Sequence, residues 1–144
     1  LSTQPKLTAA DNYSGIDSKA IEALISMASD DFKTFQKRFI GLVGFPNKRI
    51  MNELNAYFRL NSAENLIAFL RLILLSDMRD EYSKLKTSIL HIIGQQDAVL
   101  KQNAPSLLAL NPNAQIVLIR NAGHSGFLTH PTLYRAIITD FIDG

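Results

Sequence analysis

Two short apolar runs in this chain each lead to a residue that could move a proton. Ser88-Ile-Leu-His-Ile-Ile-Gly94 is followed by Gln95-Gln96-Asp97, and Gln115-Ile-Val-Leu-Ile-Arg120 is followed by Asn121-Ala-Gly123-His124-Ser125. Where such runs are strands of an open α/β sheet, chemistry collects just beyond their carboxyl ends. An Asp at the end of one strand and a His at the end of the next can hydrogen-bond. The carboxylate then fixes the imidazole tautomer and stabilises its cation, leaving the other ring nitrogen free as a general base. Asp97 and His124 would supply two of the three groups of a hydrolytic triad.

Each has a plainer use. Asp97 could cap the helix that follows it, and His124, coming after glycine, could serve a turn with an unusual backbone angle. Their pairing favours the catalytic role for both. His91 lies inside an apolar run and is expected to be packed in the core, while His130, before Pro131, is expected to make a local hydrogen bond at a helix start. Ser125 adjoins His124, but sequence neighbours rarely place a hydroxyl on the imidazole nitrogen, so a structural or pocket-lining role is expected. Three scattered histidines and no cysteine form no metal-ligand spacing and imply neither metal nor cofactor.

The elements that position these residues show two textures. From Asp17 to Asp77 the pattern is helical. Asp17-Ser18 starts a first helix, with Ala20, Ile21, Leu24, Ile25, Met27 and Ala28 on its apolar stripe. Asp30-Asp31 opens a second, bearing Phe32, Phe35, Phe39, Leu42 and Val43 until Gly44-Phe45-Pro46-Asn47 stops it. A third runs from Lys48 to Leu60. Asn61-Ser62 caps a fourth, which carries the run Leu66 to Leu75. After Asp80 the order becomes strand, helix, strand, helix. Ser88–Gly94 and Gln115–Arg120 read as strands buried on both faces in a parallel sheet. Lys101 to Leu110 reads as their crossover helix, and Pro131 opens a last helix with Leu133, Tyr134, Ile137, Ile138, Phe141 and Ile142 inward. Two strands do not complete a parallel sheet, so further strands are expected from a segment outside this sequence. The lack of Met at position 1 fits a chain that starts within a longer reading frame.

Composition excludes several classes. At 144 residues, with 47% apolar and 19% charged residues, the chain can bury a core without disulfides or metals and is not a disordered segment. A net charge of +2 is far below what a nucleic-acid binder concentrates on its surface. The run Leu66 to Leu75 is too short for a membrane span and carries Arg71, and the first residues are not a secretory signal. No nucleic-acid or membrane partner is expected, and a cytoplasmic location is the default for a cysteine-free chain.

The tail resembles the α/β-hydrolase family. The matching elements are strand-Gly-x-x-Asp in Ile89 to Asp97, a helix and Asn-Pro-Asn-Ala in Lys101 to Ala114, strand-x-x-Ala-Gly-His-Ser in Ile116 to Ser125, and Phe-Leu-x-His-Pro in Phe127 to Pro131. The opening Ser2 to Ile16, Ser29-Asp30-Asp31 and Lys37-Arg38-Phe39 resemble a branch of that family that cleaves methyl esters of carrier-bound dicarboxylates. The resemblance implies the C-terminal portion of an α/β-hydrolase, containing the last two strands of a mostly parallel sheet and preceded by a four-helix lid. Residues 1–16 would lead out of a core strand, residues 17–80 would form the lid, and residues 81–144 would return to the core. The family's chain order, Ser then Asp then His, assigns Asp97 and His124 to its last two places. No Gly-x-Ser-x-Gly occurs here. The nucleophile and oxyanion hole would therefore lie in an upstream segment, and the chain alone would be inactive.

The run Leu66 to Leu75 is read most simply as a buried lid helix. Its apolar residues on all sides also suit a surface shared with a channel for an acyl substrate, which Leu66, Phe69 and Leu70, with Phe127 and Leu128 beyond His124, would border. Lys33, Lys37, Arg38, Lys48, Arg49 and Arg59 against Glu53 alone give residues 33–59 a local charge of +5. This face is either simply solvated or, as the resemblance implies, a dock for an acidic acyl carrier protein bearing the ester. The alternatives are a general carboxylesterase or thioesterase of the same fold, and a non-catalytic fragment or binding module.

Overall fold

The computed structural model describes residues 4–58 and 62–144. The expectations that fall on Leu1 to Thr3 and on Arg59 to Asn61 lie outside the described residues. Four helices come first: α1 (Ser18–Asp30), α2 (Phe32–Gly44), α3 (Lys48–Phe58) and α4 (Ala63–Leu75). Their starts follow from side chains that accept the unpaired amides of a first turn. Asp17 accepts from Lys19 N, Asp31 from Thr34 N, Asn47 from Arg49 N and Ile50 N, and Ser62 from Asn65 N. Asp30, expected to help open α2, instead ends α1, and Asp31 alone caps α2.

Ala28, Phe35 and Leu70 are the buried centre of this helical layer. Phe35 is fully enclosed and stands in a row of rings, 5.9 Å from Phe32 and 5.5 Å from Phe39, with Phe39 5.3 Å from Phe58. The α4 run, apolar on all sides, is not buried on all sides. Leu70 is enclosed, but Phe69, Leu72 and Leu75 are exposed, because α4 packs chiefly along one face against α1.

The second part contains α5 (Arg79–Ser83), β1 (Ile89–Gly94), a 3-10 turn (Lys101–Asn103), α6 (Ala104–Leu110), β2 (Ala114–Ile119), α7 (Gly126–Thr129) and α8 (Pro131–Asp143). β1 and β2 pair in parallel, from Ile89 opposite Ala114 to Gly94 opposite Ile119. On one face, Ile93 and Ala114 pack with Tyr82 of α5 and Leu107 of α6. On the other, Ile92 and Ile119 pack with Ala122 and Tyr134 of α8.

Four sequence expectations are corrected here. α5 and α7 were not foreseen as helices. The crossover opens as a 3-10 turn, and its α-helix begins only at Ala104, with Pro105 in the first turn, where a missing N–H costs least. β2 is not buried throughout: α6 covers its Ala114–Ile116 end, leaving Leu118 half-exposed and Gln115 exposed. α8 turns Tyr134 inward, but Leu133, Ile138 and Ile142 are exposed, so its apolar stripe is wider than the surface it covers.

Candidate active site

The two loops that follow β1 and β2 are held together by backbone before any side chain is considered. Gln95 N donates to Ile119 O (2.8 Å), and Gln96 N donates to Ala122 O (2.9 Å). This approach requires Gly94, since a Cβ there would overlap the carbonyls of Ala122 and Gly123. Asn121 takes φ 57°, a left-handed turn that asparagine tolerates, and so directs the chain into Ala122-Gly123-His124.

Asp97 and His124 meet at the ends of these loops. His124 Nδ1 donates to Asp97 Oδ2 at 3.0 Å. The Asp97 side chain has no exposed surface, and its other oxygen, Oδ1, accepts from Val99 N (2.8 Å) and Leu100 N (3.0 Å). Capping and imidazole orientation are thus not alternatives for this residue, since its two oxygens divide them. His124 Nε2 has no hydrogen-bond partner among the described residues. Tyr134, buried beneath the loop, has its hydroxyl pKa raised by burial and secondarily by the Asp97 charge.

His124 lies on the wall of a cavity of about 890 Å³. That wall is mostly apolar and comes largely from the helical layer, with Ile21 and Leu24 of α1, Phe39 and Val43 of α2, and Leu70 and Ile73 of α4. Of the residues expected to touch substrate, Phe69 and Leu70 line this space. Leu66 packs into the Phe35 cluster instead, and Phe127 and Leu128 are exposed and do not line it. Lys33, Lys37, Arg38, Lys48 and Arg49 are all exposed. Arg38 also reaches the cavity wall, and Arg49 is paired with Glu53 at 2.9 Å. Among the described residues no group of three acidic or His side chains could hold a metal, and no helix is long and apolar enough to cross a membrane.

Sequence reading did not reveal two further clusters. The segments entering and leaving the helical layer are joined by Met78 N to Pro5 O (2.8 Å). Asp77 meets both Arg79 (2.8 Å) and Lys6 (3.2 Å), which holds its carboxyl well below the usual range. Behind the sheet, Tyr82 Oη and His91 Nε2 share a hydrogen bond of 2.9 Å, and burial pushes the His91 pKa down. His91 is thus the core histidine expected from its run. Both clusters join residues distant in sequence or lying on an unrecognised helix, so no local motif announced them.

Across 150 aligned positions the chain is 24% identical to a pimeloyl-[acyl-carrier protein] methyl ester esterase from Yersinia pseudotuberculosis serotype IB, covering 99% of this chain and 58% of that protein. With the protein of the same name from Aeromonas hydrophila it shares 26% identity over 149 positions, covering 99% and 59%. The chain therefore spans less than two thirds of the length of these curated relatives. In structure it is similar to an esterase from Exiguobacterium antarcticum, with a TM-score of 0.84 at 18% identity over 97% of this chain and 54% of that one. A bromoperoxidase from Bacillus anthracis superposes with a TM-score of 0.82 at 19% identity, over 97% and 55%. No family model matches the chain.

Proposed function

We propose, from the premise that this chain has the fold of the C-terminal portion of an α/β-hydrolase, that it belongs to a serine-type carboxylic ester hydrolase. In this reading it supplies the lid, residues 17–80, and the last part of the core, residues 81–144. Its substrate is the methyl ester of pimeloyl-acyl-carrier protein, an intermediate of biotin synthesis, hydrolysed in the cytoplasm. The observation that carries the reading is His124, with Nδ1 held by buried Asp97, Nε2 unpartnered among the described residues, and its ring on the wall of an apolar cavity. The relatives named above support the choice of ester.

The nucleophile is a serine in an upstream segment carrying Gly-x-Ser-x-Gly. His124 Nε2 takes the serine proton as Oγ attacks the ester carbonyl. The imidazolium, stabilised by Asp97, then protonates methoxide as the C–O bond breaks, releasing methanol and leaving an acyl-enzyme. Water, deprotonated by the same nitrogen, attacks the acyl carbon, and Ser Oγ leaves with the proton. The cavity takes the apolar acyl chain against Phe69, Leu70 and their neighbours. Lys33, Lys37, Arg38 and Lys48 receive the acidic carrier.

The Arg49–Glu53 pair takes one cation out of this basic face, which favours as a second reading a general carboxylesterase or thioesterase indifferent to the carrier. Both readings are tested in the protein that contains this chain together with the nucleophile-bearing segment. Faster turnover of the carrier-bound methyl ester than of the same ester free in solution supports the first, and equal rates support the second. Hydrolysis that survives His124→Ala refutes both.

A further inference from the structure

We propose that Ser125 is a positioning residue that latches the His124 loop to the end of α2, so that the helix lining the acyl cavity also sets the orientation of the imidazole. Ser125 is buried, and its Oγ donates to the carbonyl of Val43 at 2.9 Å, across 82 residues of sequence. The contact sits next to a second close approach. A Cβ at Gly123 would overlap the Phe45 carbonyl oxygen and lie 3.3 Å from Pro46 Cδ. The residues on either side of His124 are therefore both seated on Val43–Pro46, the turn that ends α2.

Among the described residues the His124 ring makes one hydrogen bond, to Asp97. A ring gripped through one nitrogen keeps a single orientation only if its backbone is fixed, and the Val43 carbonyl is where that backbone is anchored to the helical layer. α2 meanwhile contributes Phe39, Leu42 and Val43 to the cavity wall. A shift of α2 when the cavity fills or a partner docks would reach Oγ of Ser125 and then the Nδ1–Oδ2 hydrogen bond. The mechanical statement concerns this chain alone. Only its consequence for turnover rests on the proposal that His124 is the base.

The test reads the His124 ring itself, by nitrogen and proton NMR of the imidazoles in the wild-type protein and in Ser125→Ala, which removes the hydroxyl without adding bulk. The Nδ1–H of His124 should exchange with water at least about tenfold faster in Ser125→Ala, reporting a loosened bond to Asp97. The His91 ring, bonded to Tyr82 behind the sheet, serves as the internal control and should be unchanged. Ser125→Cys, near in size and with only a weak S–H donor, should fall between. Identical His124 signals in wild type and Ser125→Ala would overturn the latch. So would an equal change at His91, or loss of folding in both variants, since each would make Ser125 a packing residue with no particular link to His124. None of these outcomes depends on whether an ester is the substrate.

Discussion

Asp97 Oδ2 meets His124 Nδ1 at 3.0 Å while Oδ1 of the same carboxylate accepts two backbone N–H groups of the loop that follows. The carboxylate cannot rotate without losing one set of bonds, so the turn aims the oxygen that aims the histidine. Asp97→Asn separates the two jobs. Its amide oxygen can keep the turn, which leaves its NH₂ facing Nδ1, and a donor there drives the imidazole proton to Nε2, the nitrogen that the proposed general base must keep unprotonated. Under the proposed reading, the complete enzyme should lose about 10⁴ in kcat, by analogy with the same exchange in serine proteases, and keep its melting temperature. Asp97→Ala should in addition lose about 1 kcal/mol of stability with the cap. Circular-dichroism melts beside turnover would check both, and equal melting of the two variants would contradict the division of labour.

The chain by itself should not turn over p-nitrophenyl butyrate above buffer, since under the proposed reading the nucleophile and oxyanion donors lie elsewhere. Turnover by the isolated chain that persists in His124→Ala would contradict the assigned chemistry.

His91 gives a pH dependence of stability. Burial lowers its folded pKa below the ordinary 6.5, so the unfolded chain binds the proton more readily than the folded one. Stability is therefore full above about pH 6.5 and falls as the pH drops toward the folded value. Asp77, whose pKa is also lowered in the fold, contributes stability that is lost as the pH falls below the ordinary carboxylate value, so it adds little to the slope between pH 7.5 and 5.5. Melting temperatures of wild type should fall between pH 7.5 and 5.5. His91→Gln, which keeps an acceptor for Tyr82 without titrating there, should fall less. Parallel slopes would remove His91 as the cause.

The proposed docking of an acidic carrier on the basic face is best probed away from the cavity. Lys33 and Lys37 are exposed and do not line it, whereas Arg38 does. Reversing both lysines to Glu should lower kcat/KM for the carrier-bound ester, mostly at low salt, because exposed charges are screened beyond about 8 Å at physiological ionic strength. The free ester should be nearly unaffected. Equal loss on both substrates would indicate damage to the helical layer, and no loss on either would return the lysines to a solvated face.

How much of this was legible follows from distance along the chain. The capped helices and the two strands are local patterns, and Asp17, Asp31 and Ser62 act where an N-terminal cap belongs. The approach of Asp97 to His124 could be anticipated because strand ends set it. The contact of Ser125 with Val43 could not, since a hydroxyl and a backbone carbonyl 82 residues apart leave no periodic trace. α5 was missed because Arg79–Ser83 offers a single buried apolar residue, Tyr82, too few for a helical stripe. The exposure of Leu118 and Ile142 was hidden for a different reason. Apolar pattern shows which residues could be covered, and the extent of the covering helix decides which of them are.

The most direct measurement is steady-state turnover of the carrier-bound pimeloyl methyl ester by the protein that joins this chain to the Gly-x-Ser-x-Gly segment, wild type against His124→Ala. With His124 as the general base for an upstream serine, kcat should fall by about 10⁴ to 10⁶ while the fold and the melting temperature persist. Turnover by a folded His124→Ala protein at or near the wild-type rate would contradict the assignment.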